Sequence, residues 1–84
     1  MGLSVDWRDI KYQDTFEQEL RGLERRRAQG NCAIADIEGV LQHLYQMDGA
    51  DWAGRGEVQD ITMAATIAAY ERFIAQWKGE APAP

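Results

Sequence analysis

The sequence predicts an all-α protein: a three-helix bundle with helices at roughly 14–28, 32–47 and 57–78, an extended N-terminal arm, and the C-terminal helix at the centre. Three observations predict it. The stretch from Glu57 to Lys78, EVQDITMAATIAAYERFIAQWK, contains neither proline nor glycine and is rich in alanine. Its apolar residues sweep about 240° of a helical wheel, so it demands cover on more than one side. The run from Cys32 to Met47 has a single apolar face, and glycines punctuate the chain on both sides of it.

Leu3, Val5 and Trp7 alternate with Ser4, Asp6 and Arg8. That period of two predicts a short extended arm, laid as a strap that carries Trp7 onto the last helix or, as the alternative, paired with the same segment of another subunit. The first helix is expected to open at Asp14, because D-T-F-E with Glu17 is an Asp variant of the capping box; Asp9 is an earlier alternative. Its apolar stripe, Phe16, Leu20 and Leu23 with Tyr12 behind, is narrow. Glu17 and Arg21 stand four apart in the favourable order. Arg25, Arg26 and Arg27 suit the negative end of the helix dipole, and Gly30 is the expected cap.

The link Gln29-Gly30-Asn31 is short, which predicts that the first two helices are antiparallel neighbours. Asn31 is the expected N-cap of the second helix. Ile34, Ile37, Val40, Leu41, Leu44 and Met47 fall on an apolar arc of about 160°, opposite Asp36, Glu38, Gln42 and His43. Residues 48–56, DGADWAGRG, form the one long loop, because three glycines in nine residues stop both flanking helices. Residues 1–79 read as a single helical domain and 80–84, ending in Ala-Pro-Ala-Pro, as a flexible tail.

At 84 residues the chain supports one small core and no large cavity beside it. A formal charge of −5 disfavours nucleic acid and anionic membranes as partners of the whole chain. One cysteine allows no internal disulfide, which fits a reducing compartment, and the N-terminal residues lack the pattern of a signal peptide. No run of apolar residues is long enough to span a bilayer. The expected location is cytoplasmic. Met1-Gly2 lacks the Ser or Thr at position 6 that myristoylation requires, since Asp6 stands there.

No motif assigns a reaction, and no cofactor or metal is expected. The loop at 48–57 fails the calcium pattern: Ala50, Trp52 and Gln59 occupy its third, fifth and twelfth positions. Cys32 and His43 on the second helix are about 16 Å apart along its axis, too far to share an ion. Cys32 opens that helix in this reading, where the dipole sharpens a thiol, but no base accompanies it.

The candidate interaction residues are Asp51, Trp52 and Arg55 in the loop, Arg25 and Arg26 on the first helix, and Trp7 on the arm. Trp and Arg are common interface anchors. The leading expectation is a non-enzymatic protein–protein interaction or oligomerisation module, a homodimer held through surplus apolar surface on the last helix, with an unidentified protein partner. That argument loses its support if Ile61, Ala65 and Phe73 are all buried within one monomer. The rival is a small-ligand or catalytic protein using the 48–57 loop, with Asp51, Trp52 and Arg55 set against Tyr45 or Trp77. A third reading is a nucleic-acid accessory using Arg21 to Arg27.

Overall fold

The computed structural model describes residues 6–30, 32–49 and 56–79. It is all-α, with three helices: α1 (Trp7–Ala28), α2 (Ile34–Gly49) and α3 (Glu57–Gly79). As expected, α3 is central, packing against both α1 and α2. The expected contact between consecutive helices is not formed in the backbone. Among the described residues, α1 and α2 have no Cα pair within 8 Å. The broad apolar surface of α3 outcompetes the short link, since each neighbour gains more by burying its stripe there than against the other.

The first helix begins seven residues earlier than Asp14. Asp6, extended at φ −66° and ψ 140°, accepts from the backbone N–H of Arg8 at 3.2 Å and caps the helix. The Arg8 guanidinium adds a 2.7 Å contact to the same carboxylate. These donors, the backbone N–H first, hold the Asp6 carboxyl below its ordinary 3.8. Trp7 is therefore the first helical residue, and the strap expected of it is not formed. The residue is 48 % exposed, with the Arg8 guanidinium 5.5 Å from its ring. The rest of the arm, residues 1–5, lies outside the described residues.

The other end of α1 closes as expected. Gly30 takes φ 80°, and its N–H donates to the Arg27 carbonyl at 3.0 Å, while that of Gln29 donates to Arg25 at 3.0 Å. The second helix starts later than expected. The N–H groups of Asp36 and Ile37 both turn back to the Ala33 carbonyl, so Cys32 precedes the helix and the dipole argument for its thiol fails. Cys32 instead packs, half-buried, against the core. Asn31 lies outside the described residues. The last helix keeps its expected bounds to within one residue.

The directions follow from specific contacts. Arg27 stacks its guanidinium 4.2 Å over the ring of Trp77, so α1 and α3 run parallel with their C-terminal ends together. Tyr45 donates to the Glu71 carboxylate, and Lys78 meets Glu38 at 2.7 Å. Two turns forward along α2 thus match two turns back along α3, so these helices are antiparallel. The hydrogen bond to Glu71 raises the Tyr45 hydroxyl above its ordinary value of 10.0, since a nearby carboxylate opposes the phenolate.

One consequence is a division along α3. The core gathers Leu23 of α1, Ile37 and Leu41 of α2, and Tyr70, Phe73 and Ile74 of α3. Phe73 meets Trp77 edge to face at 5.5 Å. Toward the start of α1 and α3 the seam narrows to small residues, with Thr15, Ala65 and Ala69 buried. Counting back along both helices from Arg27 and Trp77 sets Thr15 level with Ala65, where short side chains let the two backbones approach. Counting on from Tyr45, α2 stops about level with Ile67 on α3. Over its first ten residues α3 has α1 as its one helical neighbour among the described residues.

Candidate interaction surfaces

Two surfaces emerge, one at each end of the parallel α1–α3 pair. The first is the end where both helices begin. Trp7, Ile10 and Val58 are 48 %, 50 % and 49 % exposed. Tyr12, Phe16, Ile61 and Met63 are half-buried. Tyr12 and Phe16 stack with ring centroids 6.5 Å apart. An apolar residue that keeps half its surface in water has forgone about half of its 1.5–3 kcal/mol of burial. Trp7 belongs to this end by lying in the first turn of α1.

The second is the end where α1 and α3 finish. Arg25 and Arg26 are exposed in the last turn of α1, as the helix dipole favours. They border a cleft of about 310 Å³ whose other walls include Glu19, Gly22, Leu23 and Tyr70. Tyr70 is a core residue, 9 % exposed. That it also lines a surface cleft depends on the parallel pairing of α1 with α3, which its own helix does not encode. Burial raises the Tyr70 hydroxyl above 10.0 and Glu19 adds to this, while Arg26 pulls the other way. A neighbouring cleft of about 330 Å³ lies between Glu24, Arg27 and Ala28 on one side and Phe73 and Gln76 on the other.

Among the described residues the basic side chains divide by partner. Arg8 binds Asp6, Arg21 reaches Glu17 at 3.5 Å, Lys78 binds Glu38, and Arg27 lies over Trp77. Lys11, Arg25, Arg26 and Arg72 have no such contact.

The loop candidates Asp51, Trp52 and Arg55 lie outside the described residues. Of the walls suggested for them, Tyr45 donates its hydroxyl to Glu71, and Trp77 carries Arg27 on one face. No group of three or more His, Cys, Asp or Glu suited to a metal ion occurs among the described residues. No described helix is long and apolar enough to cross a membrane. Compared with models of known families, with curated proteins and with solved structures, the chain matches none.

Proposed function

We propose that this chain acts by association, as a small interaction module that pairs with a second copy through the end where α1 and α3 begin. One observation carries the reading. Among the described residues the last helix has two helical neighbours over its C-terminal half and one over its N-terminal half, and Trp7, Ile10 and Val58 stand half-exposed at the thinner end. The sequence argument for a dimer narrows accordingly. Ala65 and Phe73 are buried within the monomer, and Ile61 is not. The surplus apolar surface is the first turns of α1 and α3, not the length of α3.

A second copy set there by a two-fold axis supplies the missing neighbours, and the same residues serve on both sides. Covering Trp7, Ile10 and Val58 yields about 1 kcal/mol each per copy. Micromolar pairing requires about 8 kcal/mol net of the association entropy, so Tyr12, Phe16, Ile61 and Met63 must contribute as well.

The test is solution mass by size-exclusion chromatography with light scattering over a dilution series. The reading expects a dimer that dissociates on dilution, and an Ile10→Glu variant that stays monomeric with an unchanged far-ultraviolet dichroism spectrum. A monomer at every concentration, or an Ile10→Glu chain that still pairs, contradicts it.

A further inference from the structure

We propose that the cleft bordered by Arg25, Arg26 and Tyr70 docks an acidic peptide segment of a partner protein. It lies at the end of the α1–α3 pair opposite the dimerising surface, so the two proposals stand or fall separately.

Four features of the cleft point the same way. In a chain of net charge −5, Arg25 and Arg26 share with Lys11 and Arg72 the lack of a carboxylate or ring contact among the described residues, but only these two line a common recess. Two adjacent guanidiniums present fork-shaped donors that fit carboxylates in pairs. Dipole complementation accounts for positive charge at the end of α1, but any solvated position in the last turn serves that purpose. It does not account for the second feature: the two arginines wall a recess of about 310 Å³ with the Tyr70 ring in its lining. That gives a side chain an apolar surface beside the charge.

The third feature is Gly22, inside α1 and lining the same recess. A Cβ there would meet nothing within 4 Å, so no contact within the chain requires a glycine. Glycine in a helix interior is less stable than alanine. Its absent side chain lowers the wall of the recess and lets a peptide backbone approach the helix. The fourth is Glu19, which lines the recess as a single carboxylate against the two arginines. It leaves the recess net positive by one charge, enough to hold an acidic segment and too little for a polyphosphate backbone, which the whole chain repels.

The experiment is a titration of the full chain, followed by backbone amide shifts, with hexaglutamate as the probe and hexalysine and hexauridylate as parallel arms. The expected result is saturable shifts with hexaglutamate alone, centred on Gly22, Arg25, Arg26 and Tyr70. Arg25→Ala with Arg26→Ala weakens binding by about tenfold or more. Arg72→Ala, an exposed arginine elsewhere, leaves it unchanged. Gly22→Ala raises the melting temperature and weakens binding, a pairing that a purely structural role does not produce. The proposal is overturned by no saturable shifts, by shifts that survive the double replacement, or by tighter binding of hexauridylate, which assigns the arginines to nucleic acid.

Discussion

Where α1 and α3 end, α3 lies between two helices, and Leu23, Ile37, Phe73 and Ile74 exclude water. Where they begin, α3 has α1 alone among the described helices, and Trp7, Ile10 and Val58 keep about half their surface. The same helix carries both ends, with its three aromatics, Tyr70, Phe73 and Trp77, all at the closed one. The difference comes from reach, because α2 spans 16 residues against 23 for α3. A helix about 24 Å long cannot cover one about 35 Å long. Amphipathicity read over a whole helix averages across this division, and the exposed remainder is the surface proposed for association.

Replacing Phe73 with Ala tests the closed end and has the largest expected effect. It should cost about 3–5 kcal/mol in chemical denaturation. That is a large share of the margin of so small a domain, about 4–13 kcal/mol. Ile61→Ala, the matching change at the open end, should cost only about 1–2 kcal/mol in the monomer, because that side chain is only partly buried. Equal costs would erase the distinction between the two ends.

The glycines sharpen the contrast at smaller scale. Gly30→Ala should destabilise by about 1 kcal/mol, because φ 80° disfavours any side chain. Gly39→Ala in α2 should stabilise by up to about 1 kcal/mol, since a Cβ there meets nothing within 4 Å. Thermal unfolding of the two variants should move in opposite directions.

Much of the fold was legible. The bounds of α3, the Gly30 cap and the Glu17–Arg21 pair were each read from a local signal, and each is present. The start of α1 was not, because two caps compete in its sequence. Asp14 carries the fuller box, yet Asp6 prevails, since a start at Asp6 adds two helical turns and places Tyr12 beside Phe16. The pairing of helices was also hidden. A short link implies adjacency, but which surface a helix prefers depends on the third helix. The candidate site was legible in part. Arg25 and Arg26 stood out as charge, whereas Gly22 and Tyr70 join them only once α1 and α3 lie side by side.

A pH series probes the closed end. Tyr70 has its hydroxyl raised above 10.0 by burial, so the folded state retains a proton that the unfolded chain releases. Its contribution is fully present below pH 10 and is lost as pH rises through the folded value. The melting temperature should fall more steeply above pH 10 in the native chain than in Tyr70→Phe. The smallest effect belongs to the exposed pair: Arg21→Ala should change stability by no more than about 0.5 kcal/mol, and less in high salt.

Amide hydrogen exchange along α3, measured at low and at high protein concentration, tests the division most directly. The account predicts slow exchange from Ile67 to Trp77 at both concentrations, and protection of Val58 to Thr66 that rises with concentration. Protection that is uniform along α3 and independent of concentration would contradict it.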